Sequence, residues 1–283
     1  ADKMYDEDKA KSFKIFDGAL DVHRVDDTFA GLEALGEGVE PPAGTNIPNG
    51  QRSPFMDVYA SFAKFHLKNF GSTQRQFAAV AAKNHQHSTL NPLSQYRDAY
   101  SIDDVLDARL ISWPLTLPMC SPISDGAAAA ILCSEDYLDQ LDETVRARAI
   151  RIGACEIGTG ITRSAEEVEK HITHLTANRA YDRAGIGPED ISVAEVHDAT
   201  AFGEVTQTEN LGFCDFGQGA SLAEQGETAL GGRIPINPSG GLESKGHPIG
   251  ATGLGQIYEL ATHLRGEAGD RQVPNARFAI AEN

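Results

Sequence analysis

From residue 126 to the end of the chain, short apolar segments alternate with longer amphipathic ones. That order of elements restricts the fold more than any other feature of the sequence. Residues 126–133 (GAAAAILC) are small and apolar, as in a buried strand or a tight helix–strand contact, and residues 148–157 (RAIRIGACEI) read as a strand. A polar helix over 134–148 separates them. A helix over 165–184, a turn at 188–190, a strand over 193–196, a helix over 200–211, a glycine-rich loop over 234–247, a helix over 252–265 and a strand over 276–281 follow. This is the pattern of α/β layers.

The first 120 residues do not alternate. Phe13, Phe16, Leu20, Phe29, Leu32 and Leu35 recur at helical spacing over 1–36. Residues 36–54 are rich in Gly, Pro and Asn and read as a loop. A helix over 55–69 carries Val58, Phe62, Phe65 and Leu67. Thr73 suits the N-cap of a helix reaching Ala82, and Ser101 suits the cap of a short one over 101–108. Residues 85–101 look polar and irregular, and 109–125 extended. This part reads as a mostly helical insertion or cap.

The chain has 283 residues, 41% of them hydrophobic, enough for one large domain or two intimate ones. Its net charge of −17 opposes a nucleic-acid footprint. No apolar run reaches membrane-spanning length, and the charged start (ADKMYDEDKAKSFK) is unlike a secretory signal. Cys120, Cys133, Cys155 and Cys214 form no CxxC pair, which fits reduced thiols in a cytoplasmic protein. His66, His85 and His87 invite a metal reading. No acidic or cysteine partner stands at ligand spacing, so no metal site is expected and these read as solvated histidines; His171 and His174 are read the same way.

The densest chemical signal is 237–255, NPSGGLESKGHPIGATGLG. Gly240 and Gly241 permit a sharp bend, and Gly246-His247-Pro248 puts a histidine on a short rigid loop. Backbone N–H groups near Gly250 and Gly253, at the start of a helix, can face a polar ligand. A histidine held this way suits general-base work near neutral pH. The ordinary alternative is a tight turn with a surface histidine.

This segment resembles the GHP-containing signature of thiolases, most closely the sterol-carrier-protein branch often called lipid-transfer proteins. Residues 121–129 (SPISDGAAA), 193–198 (VAEVHD) and 276–283 (ARFAIAEN) resemble three further family segments in the family's order. The resemblance implies an α/β thiolase fold, layered α/β/α with two similar halves and a helical insertion over the site. Residues 1–135 would be the remainder of the first half, with the insertion over about 5–118, and 136–283 the second half, incomplete at its end.

The resemblance also implies roles. His247 would take the proton of a nucleophilic thiol, and His197 would help hold the thioester oxygen, or else be a core histidine beside Asp198. Ser121 would touch the pantetheine arm of coenzyme A and Met56 line the same tunnel; a turn residue and a packing residue are their alternatives. Glu282 falls where many thiolases carry a second cysteine. The family's nucleophilic cysteine belongs upstream of Ala1, and no cysteine here fits that role: Cys120 reads as a small buried thiol. The chain is therefore expected to be truncated at both ends.

No bound cofactor is implied, with coenzyme A or acyl-CoA as substrate. The acidic charge disfavours so anionic a ligand, so its site would need local basic groups or helix N-termini. The family implies a homodimer. Three activities fit: acyl transfer on acyl-CoA, retro-aldol cleavage of CoA esters with a small partner protein, and thioester or lipid binding without turnover.

Overall fold

The computed structural model describes residues 23–47 and 54–283. Its helices are α1 (Val25–Ala34), α2 (Pro54–Phe70), α3 (Gln74–Thr89), α4 (Ile102–Asp107), α5 (Glu135–Leu138), α6 (Glu143–Arg146), α7 (Ile172–Ala184), α8 (Ala201–Asn210), α9 (Gly219–Glu224) and α10 (Thr252–Leu264). Strands β1 (Leu110–Ser112) and β2 (Leu115–Thr116) pair antiparallel, and β3 (Val193–Glu195) and β4 (Ala279–Ala281) pair parallel. The helical residues expected around Phe13, Phe16 and Leu20 lie outside the described residues.

The caps form as the sequence predicts. The Thr73 hydroxyl accepts from Gln76 N–H while the Gln76 side chain accepts from Thr73 N–H. Ser101 and Asp104 close the same box on α4. Thr200 caps α8 through Gly203 N–H, and α7 ends at Gly185 in the left-handed region, φ 70°.

One core joins the helical part to the rest. Phe77, Ala78, Val80 and Ala81 of α3 are buried against Ala60 and Ala63 of α2, Ala201, Phe202 and Val205 of α8, and Ala220 and Ala223 of α9. The alanines let the helix backbones approach. Phe77 meets Phe202 edge-on at 5.6 Å, and burying such a ring contributes about 1.5–3 kcal/mol. A second core surrounds Ala194, Val196, Ile234 and Ile236 beneath α7, with Tyr181, Leu211 and Phe213. A third seats Leu260 of α10 on Val193 and Val273. No helix among the described residues is long and apolar enough to cross a membrane.

Four expectations need correction. Helix α3 runs past Ala82 to Thr89, and His85 and His87 on it are buried, as is His66 on α2. Each is held by hydrogen bonds: His66 to Ser72 Oγ at 2.8 Å and Glu209 Oε1 at 3.0 Å, His85 to Pro118 O at 3.1 Å, His87 to Asn237 O and Leu230 N at 3.0 Å each. Paired polar groups tolerate burial. Of the other histidines, His171 caps α7 and His174 bonds Asn210 O; both are half-buried.

Residues 126–133 and 148–157 form no strand. Ile131 is 98% and Leu132 76% exposed. A strand needs a ladder partner, and among the described residues neither segment has one. Residues 134–148 form two single turns, α5 and α6, rather than one helix.

Candidate active site

The parallel pairing of β3 and β4 builds the site, since it brings the C-terminal ends of two distant strands together. Glu195 and Ala281 are opposite in the register, and Glu282 N–H donates to Glu195 O at 2.9 Å. Two residues beyond β3, His197 N–H donates to Glu282 Oε2 at 3.0 Å. Thr173 Oγ1 donates to Glu282 Oε1 at 3.2 Å, and Gln256 Nε2 of α10 to Glu282 O at 2.9 Å. Glu282 is thus fixed at four points. Burial pushes its carboxyl above the ordinary range.

His247 arrives from the other side. Gly240 (φ 103°) and Gly241 (φ 61°) turn the chain into a π-helical turn, Gly241–Lys245, and Gly246 (φ 112°) turns it out again. Both Gly240 and Gly241 are buried: a Cβ on Gly240 would stand 2.6 Å from Ser88 Cβ, and one on Gly241 2.1 Å from Asp198 Oδ2. Gly250 is exposed, with open space around it.

The His247 ring lies 5.0 Å from that of His197, centroid to centroid, at 84°. Its backbone N–H donates to Ser124 Oγ at 2.9 Å, and that hydroxyl donates to Gln95 Oε1 at 2.6 Å. Its Nδ1 is 2.8 Å from Thr252 Oγ1, and the Thr252 hydroxyl donates to Pro248 O at 3.2 Å. A hydroxyl has one hydrogen; when Thr252 spends it on Pro248 O, it accepts from Nδ1–H and the neutral ring presents the Nε2 lone pair. Burial, then His197 and Lys245, lower the His247 pKa to about 4. Burial lowers that of His197 as well. Two neutral imidazoles therefore face each other at pH 7, the protonation state a base requires.

The segment 120–124 stitches the two loops together. Cys120 bridges Thr200, Ser121 N–H donates to Ala199 O at 3.0 Å, and Ile123 pairs with His247. Ser121 therefore borders the His197 loop, half-buried. Met56 packs on the core that includes Met119 and Cys120. The Cys120 thiol is buried, 3.4 Å from Thr116 O, and burial with nearby Glu243 raises its pKa far above the ordinary value. That thiol is the opposite of a poised nucleophile.

A cavity of about 750 Å³ opens beside His247, lined by Gln95, Ser124, Lys245, Pro248, Thr252 and Tyr258. Burial lifts Glu195 to about 7, with Lys245 pulling the other way. Ser124, Gln95, Thr252 and Lys245 went unnoticed in the sequence. Lys245 had a signal, as the one cation within the glycine-rich run; the others carried none.

Residues 158–283 match the family model for the thiolase C-terminal domain-like family. Sterol carrier protein 2 of Bos taurus is 44% identical over 232 residues, 80% of this chain and 42% of that protein. An acetyl-CoA acetyltransferase of Methanothermobacter thermautotrophicus is 35% identical over 261 residues, 90% of this chain and 68% of that protein. A solved Ltp2-ChsH2(DUF35) aldolase superposes with a TM-score of 0.63 at 23% identity, covering 85% of this chain and 61% of that one. The chain belongs to the thiolase family and has the thiolase-like fold. It spans less than half the length of the sterol carrier protein it matches.

Proposed function

We propose that this chain is the base-bearing part of an acyl-CoA acyltransferase of thiolase type. The observation that carries the reading is the pair of histidine rings at 5.0 Å, His247 held through Nδ1 by Thr252. In thiolytic cleavage a cysteine thiol, supplied from outside this chain, gives its proton to His247 Nε2. The thiolate attacks the ketone carbon of a 3-ketoacyl-CoA, and His197 stabilises the oxygen that gains charge. The bond between C2 and C3 then breaks. The acyl group stays on sulfur, and the departing enolate of acetyl-CoA takes up a proton. A second thiol, that of free coenzyme A, then accepts the acyl group. A homodimer and a cytoplasmic setting belong to the same proposal.

The test is intact mass spectrometry of the natural full-length protein before and after incubation with an acyl-CoA. An acyl increment that disappears on thiol addition supports the reading. An unmodified mass, together with no turnover, rejects it.

A second reading draws on the thiols of Cys120 and Cys214, both pushed upward by burial and so away from the nucleophilic form. Retro-aldol cleavage of a CoA ester needs only a base for the hydroxyl proton and a donor for the enolate, and His247 and Glu282, whose carboxyl burial pushes upward, are the groups proposed for them. The solved Ltp2-ChsH2(DUF35) aldolase bears a two-component name, and a small partner protein is part of this second reading. Cleavage of a 3-hydroxyacyl-CoA without any acyl-enzyme would select it.

A further inference from the structure

Behind the two histidine loops lies a buried polar cluster to which the chemistry above assigns no role. Asn84, wholly buried in α3, points its amide nitrogen at three carboxyls: Asp198 Oδ2 at 3.2 Å, Glu204 Oε2 at 3.0 Å and Glu243 Oε2 at 3.2 Å. These come from three segments. Asp198 directly follows His197, Glu204 is on α8, and Glu243 is in the π-helical turn that delivers His247. Two further ties close the unit: Leu242 N–H donates to Asp198 Oδ1 at 2.8 Å, and Asn237 Nδ2 donates to Glu204 Oε2 at 2.8 Å.

The charge count is unusual. Lys83 Nζ sits 2.6 Å from Glu204 Oε1 and donates to Ile236 O at 2.8 Å. One ammonium balances one carboxylate, which leaves two buried acids without a counter-charge. Unpaired buried charge is too costly to keep, so such groups neutralise. The amide NH2 of Asn84 has two hydrogens for the three carboxyl oxygens it faces. Glu243 Oε1 and Asn84 Oδ1 are both buried without a hydrogen-bond partner. Burial, reinforced by the neighbouring carboxyls, lifts both Asp198 and Glu243 well above the carboxylate range.

We infer that Asn84, Asp198, Glu204 and Glu243 form a positioning unit that sets the separation of the His197 and His247 loops, with Asp198 and Glu243 serving as neutral acids. A single amide grips the residue after one histidine and the turn before the other, so both imidazoles are indexed to helix α3. Asp198 Oδ1 ties the same two loops directly, through Leu242 N–H in the turn before His247. The kinetic consequence rests on the acyltransferase reading; the geometric consequence does not.

The experiment uses the full natural protein with Asn84→Asp, Glu243→Ala, Glu243→Gln and Asp198→Asn, followed by steady-state kinetics and crystal structures. Asn84→Asp replaces the central donor by a fourth acid, and Glu243→Ala removes one grip. Each is expected to lower kcat about thirtyfold or more with KM changed less than about threefold, with the ring centroids further apart than 5.0 Å. Glu243→Gln and Asp198→Asn mimic neutral acids and are expected to stay within about threefold of wild-type kcat and to keep the separation. Wild-type kcat and spacing in a folded Asn84→Asp protein overturn the inference. So does a loss in Glu243→Gln as large as in Glu243→Ala. Where Asn84→Asp does not fold, the two isosteric variants decide alone. If the wild-type protein shows no acyl transfer, the function is wrong but the ring separations still test the positioning unit.

Discussion

Thr252→Val isolates what orients the proposed base. Threonine and valine have nearly the same shape, and Thr252 is buried, so packing in α10 survives. What disappears is the oxygen 2.8 Å from His247 Nδ1. A buried N–H left without an acceptor costs about 1–3 kcal/mol. His247 is half-buried, so the lower part of that range applies, about 1–1.5 kcal/mol. The ring can avoid this cost by moving its proton to Nε2, but that consumes the lone pair. Either way kcat/KM is expected to fall about five- to tenfold. Thr252→Ser retains the oxygen and is expected to recover most of the loss. The assay is initial-rate kinetics on an acyl-CoA, with unfolding midpoints measured alongside. A Thr252→Val protein with wild-type kcat/KM at every pH tested, or a Thr252→Ser protein as impaired as the valine variant, refutes the assigned tautomer.

Three stability predictions accompany it. Gly241→Ala places a methyl 2.1 Å from Asp198 Oδ2 at a backbone φ of 61° and is expected to lose about 2 kcal/mol or more, read by urea unfolding; an unchanged midpoint contradicts the close approach. Phe77→Ala opens a void beside Phe202 and is expected to cost about 3–5 kcal/mol, seen as a lowered Tm. Acid lability is expected from the buried histidines: burial holds His87 near 3 and His247 near 4, both below the ordinary 6.5. Between those values the unfolded chain binds protons that the native one refuses, so their contribution is intact above pH 6.5 and is lost as pH falls toward 4 and 3. Glu195, raised from 4.5 to about 7, acts oppositely: its contribution is full below 4.5 and lost as pH rises through 7. His87→Asn flattens the acid arm of the stability curve if this assignment is right, and leaves it unchanged if not.

Much of the candidate site's geometry was legible because local rules and family resemblance agreed there. His197, His247 and Glu282 fall on loops whose flanking strands and glycines show plainly in the sequence, and the structure brings all three together. The far half of α3 was not legible. Lys83, Asn84, His85, His87 and Ser88 look like a solvent-exposed stretch, and they are buried only because partners more than a hundred positions away bond them, such as Asp198, Ile236 and Asn237. No local pattern encodes that. The reverse error came from residues 126–133, where apolar composition implied burial and the side chains stand exposed. Thr252 and Ser124 were missed because a single hydroxyl has no periodicity.

The pairing of β3 with β4 also bears on the order in which the protein folds. His197 and Glu282 meet across 85 positions of chain, and each strand has only three residues. Closing so long a loop is slow compared with forming the helices around it. The helical core of α2, α3 and α8 can therefore condense while the β3–β4 corner is still open, and His197 and Glu282 gain their environment only when β4 docks. The same rung is the natural place for the native state to breathe, because a short strand at the end of a long loop opens without disturbing the rest. Backbone amide exchange at Glu282 and His197 is thus expected to be faster than at Val80 in α3, and to slow together when a ligand occupies the site.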